Sequence, residues 1–279
     1  MYLMPSNINI RKANGDSEKF SPEKVISSLK RSGANKQEIK QVLRDVYPNL
    51  REGMKTEDLY HLVFRSLDQV GGRGRYIAGR YSLKKAISDL GPTGFPFEQF
   101  VSGLLQQIGY TTETNLILQG DCVTHEIDVS AVKGDEKDMI EAKFHKKMGY
   151  KTDIKTALYV YARFLDLNSK YTNAWIFTNT KITSEVVKYS LCRGIKVTSW
   201  DYPNGNSLRE LVDRTHLHPI TSLIEIDSIT RQTLLDHNII FIKDLPKAEF
   251  LFKNQKKYFE LCRIAEDFSK THLHTQSEK

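Results

Sequence analysis

Residues 126–143, read EIDVSAVKGDEKDMIEAK, constrain the fold more than any other stretch of the chain. Apolar and polar residues alternate on both sides of Gly134-Asp135, and a glycine-bearing polar turn between two alternating runs predicts a β-hairpin. Alternate side chains of a strand share a face. Ile127 and Val129 are therefore expected on one face, with Glu126, Asp128 and Ser130 on the other. On the return strand Ile140, Ala142 and Phe144 take one face, and Glu141, Lys143 and His145 the other. A tight turn centred on Gly134-Asp135 sets Asp128 opposite Glu141, with Cβ atoms ~5 Å apart.

Two carboxylates and an ammonium on one polar patch match a definite chemistry. Mg²⁺ takes one or two protein carboxylates and completes its shell with water and phosphate oxygens. It lowers the pKa of bound water and offsets charge growing on a phosphoryl oxygen. A lysine on the same face orients the water or offsets that charge as well. Asp128 and Glu141 are thus candidate ligands for Mg²⁺ or Mn²⁺, and Lys143 is a candidate catalytic group. The competing reading is a surface hairpin with a cross-strand Glu–Lys pair, and the elements around the hairpin decide between the two.

Upstream, Phe97, Phe100, Val101, Leu104, Leu105 and Ile108 follow the helical period and stop at Gly109. Residues 116–118 read as a short strand. After the hairpin, 153–167 is an amphipathic helix, and 174–178 is an apolar strand of the kind covered on both faces. A helix at 182–193 closes at Gly194, and 195–200 is a further strand. The order is αβββαβαβ, a hairpin feeding βα units around a mixed sheet.

This order, with Asp128 on one strand and Glu141-Ala142-Lys143 on the next, resembles the PD-(D/E)xK nuclease superfamily, particularly Mrr-like restriction endonucleases. The resemblance covers residues 93–205. It implies metal-dependent cleavage of DNA, with Glu98 at the position of the family's early-helix glutamate, where it helps hold metal-bound water. His145, Lys146, Lys147, Lys151 and Lys155 follow the motif. They either grip the scissile strand or form a solvated basic loop. His125 is read as a structural histidine or a phosphate contact.

Residues 1–92 read as a separate helical unit. A short strand at 8–12 and a turn at Asn14-Gly15-Asp16 precede a helix start, where Ser21 is the cap and Pro22 the first helical position. Helical stretches follow at 36–47, 56–70 (with Thr56 as cap) and 75–89. The stretch INIRKANGDSEKFSPEKVISSL resembles the ATP-cone domain through Lys12, Gly15, Glu18, Phe20, Lys24 and Val25. That resemblance implies a regulatory site for ATP or dATP, with Lys12, Gly15, Phe20 and Lys24 as nucleotide-binding residues. No GxxxxGK[ST] string occurs, so a P-loop is excluded. Residues 1–92 hold 17 Lys+Arg against 10 Asp+Glu, while 93–205 hold 13 of each and 206–279 hold 11 of each. The whole net charge of +7 thus falls in the first third, suited to a triphosphate or a nucleic-acid backbone. Gly71-Gly72-Arg73-Gly74-Arg75 is read as a turn between helices, with an anion-binding nest or an RGG-like nucleic-acid contact as the alternatives.

Asp201-Tyr202-Pro203-Asn204-Gly205 marks a boundary by turn chemistry. Beyond it, 206–279 is read as a helical appendage, with helices at 207–215, from 219 (Ser222 and Glu225 in capping-box spacing), at 228–237 and at 250–267, and a frayed end containing His272 and His274. Three scattered cysteines form no CxxC pair, which disfavours structural zinc and disulfides and suits a reducing cytoplasm. No N-terminal apolar region or apolar run near 18 residues is seen, so neither secretion nor membrane spanning is expected.

The expected protein is an α/β (α+β) chain: ATP-cone 1–92, endonuclease-like domain 93–205, helical region 206–279. Its expected activity is nucleotide-regulated, Mg²⁺-dependent cleavage of DNA in restriction or defence, with self-association left open. The alternatives are a repair nuclease or junction resolvase, and a non-catalytic DNA-binding regulator responsive to ATP or dATP. Known ATP-cone repressors carry a zinc ribbon, which this chain lacks.

Overall fold

The structure is a computed structural model that describes residues 8–12, 15–69, 73–147 and 149–274. Asn14, Gly71 and Gly72 of the two expected turns lie outside the described residues. The protein has an α+β fold with mixed sheets, divided into two compact units. The first comprises Met1–Leu83, Ser222–Ile224 and Lys256–Lys279; the second comprises Lys84–Thr221 and Glu225–Gln255.

In the first unit β1 (Asn9–Arg11) pairs antiparallel with β2 (Ser17–Lys19) and parallel with β3 (Met54–Lys55). Helices α1 (Pro22–Arg31), α2 (Lys36–Val46), α3 (Thr56–Gln69) and α4 (Arg73–Tyr81) bury Val25, Leu29, Val42, Val46, Val63, Leu67 and Ile77. Ser21 caps α1 by accepting from the Lys24 N–H, and Asn35 with Glu38 forms a capping box on α2. Thr56 heads α3, and its hydroxyl donates to the Arg11 carbonyl and ties α3 to β1.

The second unit opens at Lys84, within α5 (Leu83–Ser88), and continues with α6 (Phe95–Gln107). Then come β4 (Thr111–Gln119), β5 (Thr124–Lys133), β6 (Glu136–Lys143), β7 (Lys151–Thr152), α7 (Ile154–Asp166), β8 (Asn173–Thr178), β9 (Lys181–Ile182), α8 (Ser184–Arg193) and β10 (Lys196–Thr198). The five-stranded sheet runs β10-β8-β6-β5-β4, with β4, β5 and β6 antiparallel and β6, β8 and β10 parallel. The order matches the expected αβββαβαβ, apart from a two-stranded β7-β9 ribbon. Strand β4 is longer than its apolar core predicts, for a physical reason. Its inward threonines are polar but bonded to α6: Thr112 to Ser102 and Gln106, each at 2.8 Å, and Thr114 to Gln99 at 3.0 Å. Helix α6 covers that face. Helices α7 and α8 cover the other, where Met139, Ala157, Val160, Ala174, Ile176 and Val186 form the core.

Residues 206–221 and 225–255 are not a separate appendage, since they belong to the same unit as the sheet. Helices α9 (Leu208–Thr215) and α10 (Ser228–Asp236) are followed by a 3₁₀ segment, Ile242–Leu251. Phe241 stacks on Phe100 of α6 at 5.4 Å between ring centroids, and Gly103 makes room for it, because a Cβ there would stand 2.4 Å from the ring. No helix opens at Ser222. That residue ends a 3₁₀ turn, Ile220–Ser222, and the capping box of this region is Ser207–Glu210 on α9. Helix α11 (Gln255–His274) belongs almost wholly to the first unit, where Phe268 packs on Tyr76 and over Gly79. Among the described residues no helix is long and apolar enough to cross a membrane.

Candidate active site

The hairpin turns through Gly134-Asp135, flanked by the pair Lys133↔Glu136, with Gly134 at φ 58°. Its register runs as the sequence predicts, but only as far as Val129↔Ile140. Beyond that pair the strands part: β5 stays with β4 to Thr124, while β6 stays with β8 to Lys143. Asp128 and Glu141 stand at the parting. They are not a regular opposed pair, because Asp128 Oδ2 accepts the Ala142 N–H at 2.7 Å in place of a strand carbonyl.

Three elements bring carboxylates here. Glu98 comes from the first turn of α6, Asp128 and Glu126 from β5, and Glu141 from β6. Burial first, then Asp128, Glu126 and Glu141, push the Glu98 carboxyl up to about 7. Asp128 is pushed up to about 6, by burial first and then by Glu141, against the Ala142 N–H and Arg163. Glu141 Oε2 pairs with Arg163 Nη1 of α7 at 2.5 Å. That arginine is only 7% exposed, its guanidinium lies 5.1 Å from the Tyr159 ring centre, and its Nε has no hydrogen-bond partner among the described residues. The sequence reading missed Arg163. The signal was an arginine on the buried stripe Ala157, Val160, Leu167 of an amphipathic helix.

Lys143 is exposed, two residues beyond Glu141, and makes no ion pair among the described residues. The strand end it occupies is fixed. The buried Asn179 side chain accepts from the His145 N–H and donates to the His145 carbonyl, both at 2.8 Å. Lys146, Lys147 and Lys151 are exposed in the segment that follows. His145 is pushed towards its neutral form by burial first, then by Lys143. His125 takes the structural reading. Its Nε2 lies 2.7 Å from Asp166, whose carboxylate also accepts the Cys122 and Val123 N–H groups.

The donors at the parting suit a hard cation. They are oxygens, negative charge is in excess, and the Glu98 carboxylate has no hydrogen-bond partner among the described residues. Asp128 keeps Oδ1, and Glu141 keeps Oε1, free of the bonds just described. Among the described residues no group of three or more His, Cys, Asp or Glu side chains is placed to hold a metal ion, so any cation here would rest on at most two carboxylates. Water and phosphate oxygens would complete the shell, as they do for Mg²⁺.

In the first unit, the residues expected around a nucleotide lie on the β1-β2 hairpin and the start of α1. Glu18 holds both Lys12 (2.8 Å) and Lys24 (2.9 Å). Gly15 is exposed at φ 91°, and Phe20 packs edge-on to Tyr47 at 6.3 Å. An open groove of about 860 Å³ in the same unit is lined by Arg51, Lys55, His61 and Arg65 with Glu52 and Asp58, and by none of the four expected residues.

Fold and site together define an α+β protein whose mixed sheet parts around a cluster of carboxylates. The chain belongs to the family of an uncharacterized protein of Archaeoglobus fulgidus, to which it is 44% identical over 146 residues, 52% of this chain and 83% of that protein. It shares its fold with the crystal structure of protein of unknown function AF1548, at 36% identity and a TM-score of 0.52 over 66% of this chain and 97% of that one. Can2 from Sulfobacillus thermosulfidooxidans, solved with cyclic tetra-adenylate, is 16% identical over 73% of this chain and 63% of that one, with a TM-score of 0.34. No protein-family profile matches the chain.

Proposed function

We propose that the sheet-bearing unit is a Mg²⁺- or Mn²⁺-dependent DNA endonuclease of the PD-(D/E)xK, Mrr-like type. Residues 1–92 would act as an ATP-cone that tunes it with ATP or dATP. One observation carries the nuclease reading: β5 and β6 part so that Asp128, Glu141 and Glu98 approach from three elements, with Lys143, which makes no ion pair among the described residues, two residues from Glu141. Asp128 and Glu141 would hold the cation, which supplies an acidified water and charge neutralisation at phosphate. Glu98, with its raised pKa, takes and returns a proton near neutral pH and orients the attacking water. Lys143 places its ammonium against the reacting phosphate. Lys146, Lys147 and Lys151 grip the DNA backbone through charge.

Arg163 on Glu141 favours the second reading, a DNA-binding regulator without turnover, because a guanidinium already stands where a cation is needed. One experiment separates the two. Methylated and unmethylated plasmid are incubated with the full chain, with and without Mg²⁺, Mn²⁺ and ATP. Metal-dependent nicking or linearisation that EDTA stops supports the nuclease. DNA retardation without strand breaks supports the regulator. Restriction, repair and resolvase roles share this chemistry and differ in the substrate they prefer, and a cytoplasmic setting suits all three.

A further inference from the structure

Strand β4 changes face in its middle. Thr112 and Thr114 bond to Ser102, Gln106 and Gln99 of α6. Leu116 and Leu118 pack instead with the core beneath α7 and α8. In a regular strand residues two apart share a face, so these four should lie together. Between Thr114 and Leu116 stands Asn115, at φ 56° in the left-handed region. The partner strand turns over at the same level. Val129 lies opposite Thr114 and also opposite Ile140, on the face of α6. Ile127 lies opposite Leu116 and belongs to the core with Met139, on the face of α7. The strict alternation that the sequence suggests for β5 therefore fails between Ile127 and Val129. The residue between them is Asp128, which with Asn115 falls in the gap the ladder leaves between Thr114↔Val129 and Leu116↔Ile127.

This crossover serves the carboxylate cluster. Glu98 comes from the helix on one face of the sheet, while Glu141 pairs with the helix on the other. A side chain on a regular strand addresses one face only. At the crossover the Asp128 carboxylate lies along the sheet, as its bond to the Ala142 N–H records, within reach of charge from both sides. We infer that Asn115 is a positioning residue, whose left-handed backbone turns the β4–β5 ribbon over and thereby swings the Asp128 carboxylate across to β6. The residue type fits. Asparagine tolerates the left-handed region better than other side chains, glycine adopts it freely, and β-branched residues resist it. The role of the site rests on the nuclease reading, but the placement of Asp128 does not.

The test compares Asn115→Gly, Asn115→Ala and Asn115→Val in the full chain, with Asp128→Ala as reference. The first readout is hydrogen exchange at the Ala142 amide, whose acceptor is the Asp128 side chain. Asn115→Gly should keep the protection. Asn115→Val, and Asn115→Ala to a smaller degree, should lose it at least tenfold, as Asp128→Ala does. The second readout is Mn²⁺ affinity by calorimetry, expected within about threefold of the parent for Asn115→Gly and at least tenfold weaker for Asn115→Val. A folded Asn115→Val or Asn115→Ala with parent-like Ala142 protection overturns the inference. Collapse of both assigns Asn115 to the fold and overturns it as well. A parent chain that binds no Mn²⁺ sinks the nuclease reading alone, because the exchange result still decides the role of Asn115.

Discussion

Arg163 Nη1 lies 2.5 Å from Glu141 Oε2, so a buried guanidinium balances the very carboxylate assigned to a cation. Removing one partner of a buried ion pair leaves the other charge uncompensated, at a cost of roughly 3–5 kcal/mol. Arg163→Met should therefore lower the melting temperature of the metal-free protein. Mn²⁺ should recover more of that loss in the variant than it adds to the parent, since it replaces the missing charge. A variant as stable as the parent, or one indifferent to Mn²⁺, would show that Glu141 faces no cation site.

The two members of the motif should separate kinetically. Lys143→Ala should depress cleavage on the order of 100-fold while Mn²⁺ affinity stays near that of the parent, because the lysine acts on phosphate and not on metal. Asp128→Asn should lose both. Calorimetry and plasmid cleavage on the same preparations check the split, and equal Mn²⁺ losses in the two variants would contradict it.

The pH dependence has a fixed sign. Glu98 and Asp128 hold their protons to about 7 and about 6 in the folded chain, above their unfolded values. Between roughly pH 4 and 7 the native state thus binds more protons at these groups than the unfolded state, and stability from this source falls as pH rises. It levels off above pH 7. Carboxylates held low, such as Asp166 and Glu210, act in the opposite direction, so the test is a difference. The melting temperature of Glu98→Gln minus that of the parent should climb from pH 4 to 7 in EDTA, and saturating Mn²⁺ should shrink the gap. A flat difference would remove the carboxylate coupling on which the site depends.

Local signals in the sequence carried the hairpin turn, the Ser21 cap and the strand order, since each depends on neighbours within a few residues. Long-range pairing was not readable in the same way. Nothing near Arg163 names Glu141, and nothing near Asn115 tells that two strands turn over together. The Ser222–Glu225 spacing misled because capping patterns are short. There Ile220, Thr221, Ser222 and Leu223 are all buried, and packing, not the cap, sets the backbone. The polar start of β4 offers no apolar alternation, because its threonines satisfy α6 by hydrogen bonds.

Helix α6 offers a stability test free of the chemistry. A Cβ at Gly103 would stand 2.4 Å from the Phe241 ring, which is itself stacked on Phe100. Alanine gains about 1 kcal/mol of helix propensity, against an overpacking cost of typically 1–3 kcal/mol. Gly103→Ala should therefore destabilise. Gly103→Ala with Phe241→Leu should recover part of the loss, the signature of coupled neighbours. Additive effects in thermal melts would show that the ring yields without resistance.

The last prediction concerns regulation. Lys12 and Lys24 share a single partner, Glu18, at 2.8 and 2.9 Å. If the ATP-cone reading holds, a triphosphate must compete with that carboxylate for both ammonium groups. Glu18→Gln should then tighten ATP or dATP binding several-fold, while Lys12→Ala and Lys24→Ala weaken it, all measured by calorimetry on the full chain. Arg51→Ala with Arg65→Ala, in the separate basic groove, should leave the affinity unchanged. Binding alone does not regulate, because a ligand shifts activity only through unequal affinity for two states. Cleavage rates with and without nucleotide complete the test. Should no adenine nucleotide bind at millimolar concentration, the basic excess of residues 1–92 serves DNA docking instead. Should the groove variants alone lose affinity, the nucleotide site lies between β3 and α3 and not at Lys12, Gly15, Phe20 and Lys24.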